Sequence, residues 1–329
     1  MLINLALIRE VDEKMALIES DRTLDLDKIV RKALEQDSLT SSGLLEAGST
    51  RKEVREKKKE FAESRARLED AWKFAVEHYN GEISQDLILG VASRINGETS
   101  PYRNIPIRVT GLDAVLPPQP EKIKLHLEAL LSHVNDHKNL HTIERAGLLH
   151  LHFVRVHPFM DGNGRTARLL QNLILKHDEY PPSIIPCEER LVYQSILRDA
   201  LEGYRDRESR GEFLDAWRET LEASKPEVAF FNYIGSKVHV ALESQMSAID
   251  RLPRYIIRLR NSAPPGETFK AKKLFVNYFR AEDRLGQARV DIHRDPGTIK
   301  VIGDISPRAI QCILDHNGYE GRYTIERQK

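Results

Sequence analysis

A mainly α-helical fold followed by a small α+β module is what the sequence predicts, and three observations carry that expectation. Apolar residues recur at spacings of three and four, as in Leu5, Ile8, Val11, Met15 and Ile18, which is the period of a helix with one buried face. The breaks between such stretches are short and proline-rich, as in Leu116-Pro117-Pro118-Gln119-Pro120 and Tyr180-Pro181-Pro182. After Pro226 the pattern changes, and short strand-like runs appear among the helices.

Residues 1–39 read as two helices, the second capped by Asp25 and carrying Ile29, Ala33 and Leu34. The polar run Thr40-Ser41-Ser42-Gly43 is expected to interrupt them. Ser49 or Thr50 can cap a helix from about Arg51 to Tyr79, with Phe61, Leu68, Trp72, Ala75 and Val76 expected as its buried stripe. The interleaved charges of residues 51–63 read as a solvated face with i,i+4 pairs, not a basic nucleic-acid stripe. A helix over about 84–95 ends at Asn96-Gly97. Residues 104–112 alternate and end in a turn, the pattern of a β-hairpin. Helices follow at about 121–137, 142–156, 164–177, 188–206 and 211–223. Beyond them the reading gives helices at 229–250 and 253–261 and a linker-like break at Ala263-Pro264-Pro265-Gly266. A helix at 270–281, strands at 287–292 and 298–302, a helix capped by Ser306 with Pro307 in its first turn, and a strand near 322–326 complete the chain. The expected organisation is an N-terminal helical region (1–80), a helical core (81–225) and an accessory domain (226–329).

The 329 residues carry 50 Lys+Arg and 50 Asp+Glu, so no chain-wide field favours nucleic acid or a membrane surface. No run of about 18 apolar residues occurs, and the N-terminus does not read as a signal peptide, because no basic residue precedes its short apolar stretch. Two cysteines, Cys187 and Cys312, are too few for a disulfide scaffold and fit a reducing, cytoplasmic setting. Among the histidines, His133 and His137 are four apart, but no third ligand follows at metalloprotease spacing.

The chemistry is concentrated in His157-Pro158-Phe159-Met160-Asp161-Gly162-Asn163-Gly164-Arg165-Thr166-Ala167-Arg168. This segment lies between two apolar-periodic stretches, so it is expected to be a loop opening onto a helix N-terminus, an anion site by its exposed N–H groups and dipole. Gly162 and Gly164 allow close backbone approach to a phosphate. Arg165 and Arg168 share a face near that terminus, where two cations oppose the dipole and call for an anionic partner such as a polyphosphate. Asp161 offers oxygen to Mg2+, and His157 suits a general base.

The segment resembles the Fic family signature HxFx(D/E)GNGRxxR at every fixed position. The resemblance implies a Fic-type helical bundle that transfers a nucleotide monophosphate, usually AMP from Mg–ATP, onto a protein hydroxyl. His157 would deprotonate the target Ser, Thr or Tyr, and Asp161 would hold the magnesium ion. Asn163 with the amides around Gly162 and Gly164 would hold the α- and β-phosphates, Arg165 and Arg168 would steady the outer ones, and Phe159 would be a core anchor. The family's inhibitory motif, (S/T)xxxE(G/N), is matched by Ser42-Gly43-Leu44-Leu45-Glu46, with Ala47 departing from the usual Gly or Asn. By that resemblance Glu46 pairs with Arg168 and blocks the γ-phosphate position; the alternative is an ordinary helix glutamate. The same glutamate would place water if the enzyme also removes AMP. The 104–112 hairpin would be the family's target-aligning flap, or a structural hairpin. Tyr193 would stack on adenine, or be a core tyrosine.

The target protein is left open, with self-modification and a homodimer both compatible with the sequence. From residue 226 on there are 17 Lys+Arg against 12 Asp+Glu, a mild excess that leaves DNA binding, target recognition and oligomerisation as roles for the accessory domain. The function from another class is a non-catalytic nucleotide-sensing or DNA-binding regulator on the same scaffold.

Overall fold

A computed structural model describes residues 3–20, 26–47, 58–109, 117–136, 140–207, 223–251, 253, 254–260, 265–281, 288–292, 295, 297–303 and 305–328. Its first helices are α1 (Leu5–Ser20), α2 (Leu26–Ala47), α3 (Lys58–His78) and α4 (Gln85–Asn96). Then come α5 (Ile123–Asp136), α6 (Thr142–Val156), α7 (Asn163–His177), α8 (Arg190–Arg207) and α9 (Lys225–Arg251). The C-terminal elements are β1 (Arg254–Leu259), α10 (Pro265–Ala281), β2 (Ala288–Ile292), β3 (Thr298–Gly303), α11 (Pro307–Asp315) and β4 (Tyr323–Gln328). The chain forms two compact units, Met1–Glu13 with Leu34–Leu242, and Lys14–Ala33 with Glu243–Lys329.

The first unit is built around α6. Its start is fixed by a reciprocal cap: the His141 ring accepts from the Ile143 amide, and Glu144 accepts from the His141 amide at 3.2 Å. The other Glu144 oxygen accepts from the Ile3 amide, 3.2 Å away. From Ala146 to Val156 every residue of α6 is buried, His150, His152 and Arg155 included. A helix buried on all sides is a core helix, and its polar groups must find partners inside. His150 does so through Gln171 Oε1 (2.6 Å) and the Tyr193 hydroxyl (2.8 Å).

The interruption expected at Thr40-Ser41-Ser42-Gly43 does not occur, because α2 continues to Ala47. Local bonds and packing explain this. Thr40 Oγ1 donates to the Gln36 carbonyl one turn back, Ser41 Oγ donates to the Ile185 carbonyl, and Ser42 meets Arg168. A Cβ on Gly43 would lie 3.3 Å from the Phe61 ring, so the glycine admits α3 at close range. Ser84 caps α4 by accepting from the Leu87 amide, and Gly97 closes it in a left-handed conformation.

The hairpin expected at 104–112 falls only in part within the described residues. Residues 104–109 carry no strand ladder, and 110–112 lie outside the described residues. Pro106 has no N–H to donate, Ile105 is 49% exposed, and the Ile105 carbonyl is taken by Arg103. The caps expected at Asp25, Ser49 and Thr50 and nearly all of the 211–223 helix lie outside the described residues too.

The second unit contains a four-stranded antiparallel sheet in the order β2-β3-β1-β4. Residues 253–261, read as a helix, are mostly β1. The run Tyr255-Ile256-Ile257 is short, aromatic and β-branched, and buried, and short apolar runs are ambiguous by period alone. Its register places Ile257 opposite Ile299 on β3 and Ile325 on β4. Phe275 and Phe279 of α10 join Ile310 and Leu314 of α11 in the core with the strands' apolar side chains. The expected linker at Ala263–Gly266 is corrected in part: Pro265 and Gly266 open α10, and 263–264 lie outside the described residues. Ser306 caps α11 as expected, accepting from the Ala309 amide at 3.1 Å.

Candidate active site

The segment 157–168 runs from the end of α6 to the start of α7. His157 closes α6 in a left-handed conformation (φ 48°, ψ 60°), which costs a non-glycine residue roughly 1–2 kcal/mol. Its amide still donates to the Phe153 carbonyl at 3.0 Å. Nδ1 lies 3.3 Å from the Val154 carbonyl. A carbonyl can only accept, so Nδ1 carries a proton, and in the neutral ring Nε2 is the nitrogen that can accept one. Phe159, 1% exposed, sits near Phe153 and Tyr102 and anchors the loop.

Gly162 is the N-cap of α7, with φ 78° and no side-chain cap over the first turn. Two constraints require glycine here. The left-handed backbone is one, and the other is Asn96, whose Oδ1 would stand 2.5 Å from an added Cβ. Asn96 is a site residue that the sequence reading missed. Its Nδ2 donates to Ser100 Oγ (2.8 Å) and to the Asp161 carbonyl (3.2 Å), tying the end of α4 to the loop. Its only signal in the sequence was the Asn-Gly that ends a helix.

Asn163 is 2% exposed, and its side chain turns back on the loop. Its Oδ1 accepts from the Phe159 amide (3.0 Å) and its Nδ2 donates to the Phe159 carbonyl (2.8 Å). The side chain thus braces the turn, while Gly164 follows it in the first turn of α7. Asp161 accepts from the Gly162 amide through Oδ1 and pairs with Arg165 through Oδ2 at 3.0 Å. Its side chain is 81% exposed, whereas that of Arg165 is 12% exposed. Arg165 Nε is buried without a hydrogen-bond partner among the described residues. Arg168, 6% exposed, donates from Nε to Ser42 Oγ (3.0 Å) and from Nη2 to the Ser42 carbonyl (3.2 Å). A further contact, Glu35 to Lys176, holds α2 on α7, and Ser41 ties α2 to the Ile185 carbonyl in the segment that follows α7. Glu46 lies one helical turn beyond Ser42 on α2, and its side chain is outside the described residues.

Tyr193 is not placed as an adenine platform. It is 4% exposed, with its hydroxyl on His150 Nε2. Burial pushes the His150 ring down to about 3, against the opposing effect of the Gln171 bond and helped by the nearby Arg168 charge. His150 is therefore neutral, donating from Nδ1 to Gln171 and accepting from Tyr193 at Nε2.

Residues 78–175 match the family model described as Fic/DOC family. That stretch of the chain is similar to the Fic/DOC family. Its curated relatives include the protein adenylyltransferase fic-1 of Caenorhabditis elegans, 42% identical over 123 residues, or 36% of this chain and 24% of the relative. The protein adenylyltransferase Fic of Drosophila grimshawi is 34% identical over 139 residues, or 39% of this chain and 29% of the relative. The chain thus spans about a quarter of the length of these relatives. Among solved structures, a Fic-domain-containing signalling protein of Bacteroides thetaiotaomicron superposes with a TM-score of 0.57 at 22% identity, covering 73% of this chain and 97% of that one. That likeness establishes the mainly helical Fic fold. His157, Asp161 to Arg165 and Arg168 lie within the matched domain, whereas Ser42, Glu46 and Tyr193 lie outside it.

The residues present fit a magnesium ion. Asp161 presents an exposed carboxylate, and Mg2+ takes one or two carboxylates while keeping waters and phosphate oxygens as its other ligands. Among the described residues no group of three ligating side chains occurs, so protein oxygen would supply only part of the coordination. Among the same residues, no helix is long and apolar enough to cross a membrane.

Proposed function

We propose that this protein is an adenylyltransferase that moves AMP from ATP to a hydroxyl side chain of a protein. One observation supports this most: a single loop joins His157, whose Nε2 can accept a proton, to the uncapped N-terminus of α7. The adenylyltransferase names of relatives aligned to this chain support the choice of nucleotide.

In this reading the Nε2 of His157 takes the proton of a target Ser, Thr or Tyr. The hydroxyl oxygen bonds to the α-phosphorus as the bond to the β-phosphate bridging oxygen breaks, and pyrophosphate leaves. The N-terminal amides of α7 and the guanidinium groups of Arg165 and Arg168 hold the phosphate chain, while Asn163 keeps the turn in shape. A bound magnesium ion, held at Asp161, would neutralise phosphate charge. The work is positioning and charge stabilisation.

The reading includes a brake. The hold of Ser42 on Arg168 brings α2 to the phosphate side of the site, and Glu46 on the same helix would occupy the γ-phosphate position by pairing with Arg168. The same carboxylate could direct water to remove AMP. A reducing compartment such as the cytoplasm suits the two unbridged cysteines. The test is incubation of Glu46→Gly with ATP labelled at the α- or the γ-phosphate. Protein labelling from the α position alone, abolished by His157→Ala with ATP binding retained, is expected. Labelling from the γ position would replace this reading with phosphate transfer.

A further inference from the structure

Arg103 is 3% exposed, and its hydrogen bonds converge on the end of α6. Its Nε donates to the His157 carbonyl at 2.8 Å and its Nη2 to the Val156 carbonyl at 3.4 Å. Nη1 reaches the Ile105 carbonyl at 3.0 Å, and Nη2 also reaches the Pro118 carbonyl at 2.6 Å. The Arg103 amide donates to the Pro158 carbonyl at 2.8 Å. One residue therefore holds three consecutive carbonyls, those of Val156, His157 and Pro158.

Two physical facts make this more than packing. A buried guanidinium needs compensation, and here it comes from main-chain carbonyls at the negative end of a 15-residue helix. Burial accordingly pulls the Arg103 guanidinium below its ordinary value. His157, the residue whose carbonyl receives the shortest of the helix-end bonds from that guanidinium, is also the one held at φ 48°. Strained backbone persists where its surroundings over-determine it. The planar fork of arginine can span these carbonyls, whereas a lysine ammonium is a point donor that cannot.

We propose that Arg103 is a positioning residue for the proposed transfer, fixing the strained backbone of His157 so that its imidazole meets the acceptor hydroxyl. It touches neither nucleotide nor target in this role. The inference rests on the functional reading above, and its test therefore includes a readout that needs no activity.

Arg103→Met and Arg103→Lys are made in the Glu46→Gly background and in the unaltered chain. A misplacement of about 1 Å in the base costs roughly a hundredfold in rate. In Arg103→Met, kcat for AMP transfer is expected to fall about a hundredfold while the Kd for ATP changes less than about threefold. Arg103→Lys is expected to fall between the two. In the unaltered background, amide exchange measured by mass spectrometry is expected to rise in peptides covering 153–163 and to stay constant in α5. Unchanged kcat in both variants, or loss of ATP binding in step with kcat, would overturn the proposal and leave Arg103 a structural residue. If the Glu46→Gly parent itself transfers nothing, the functional reading fails. In that case, unchanged exchange at 153–163 would overturn the placement of His157 by Arg103 as well. If the methionine variant does not fold, the lysine variant carries the same comparison.

Discussion

Replacing Gly162 by alanine is expected to destabilise the protein by about 2–5 kcal/mol, and the structure divides that figure into two parts. Holding an alanine at φ 78° costs about 1–2 kcal/mol. The new Cβ would also stand 2.5 Å from Asn96 Oδ1. Asn96 cannot simply swing aside, because its amide is bonded to Ser100 and to the Asp161 carbonyl. Forcing atoms into such a site typically costs about 1–3 kcal/mol. In an Asn96→Ala background the steric part vanishes and only about 1–2 kcal/mol remains. Denaturant unfolding of the wild type, both single variants and the double variant closes the cycle. The expected coupling is about 1–3 kcal/mol, with Gly162→Ala less harmful when Asn96 is absent. AMP transfer by Gly162→Ala is expected to drop roughly a hundredfold, because the loop that carries His157 and the start of α7 must shift. A cost below about 0.5 kcal/mol, or one identical in the two backgrounds, would refute the account of the turn.

Ser42→Ala removes the acceptor of Arg168 Nε, so it is expected to lower stability by about 1.5–3 kcal/mol; because it also loosens α2 from the site, basal transfer is expected to rise, as followed by label incorporation. His150 titrates near 3 in the folded state and near 6.5 when unfolded. The unfolded chain therefore binds more protons between those values, so this contribution to stability is intact above pH 6.5 and is lost as pH falls. The loss between pH 7 and pH 5 is about 2 kcal/mol, and unfolding curves of His150→Gln are expected to show a pH dependence weaker by that amount. In the second unit Phe275 is fully buried; Phe275→Ala is expected to cost about 3–5 kcal/mol, read as a lowered unfolding transition for that unit.

The candidate segment 157–168 was legible in the sequence because its residues are local: a histidine, a carboxylate, glycines and arginines lie within twelve positions. The helices from 121 to 177 were legible for the same reason, since their apolar period is uninterrupted. What escaped depends on distant partners. Ser41, Ser42 and Gly43 look like a helix break until Ile185, Arg168 and Phe61 supply partners for them. Residues 254–259 resemble a short buried helix until β3 and β4 flank them. Tyr193 lines up as a platform for a base only while His150, which takes its hydroxyl, is out of view. Asn96 and Arg103 act on the loop from about 60 residues upstream, so what they hold cannot be read from the residues around them.

The central claim is that the loop after His157 directs the α-phosphate of ATP onto a protein hydroxyl. Intact-mass spectrometry of Glu46→Gly, incubated with magnesium and ATP, tests it directly. The account predicts a gain of one adenosine monophosphate, lost in the Glu46→Gly, His157→Ala double variant and mapped by fragmentation to a Ser, Thr or Tyr. A gain of a single phosphate, or an unchanged mass both alone and with added candidate targets while ATP binds, would contradict it.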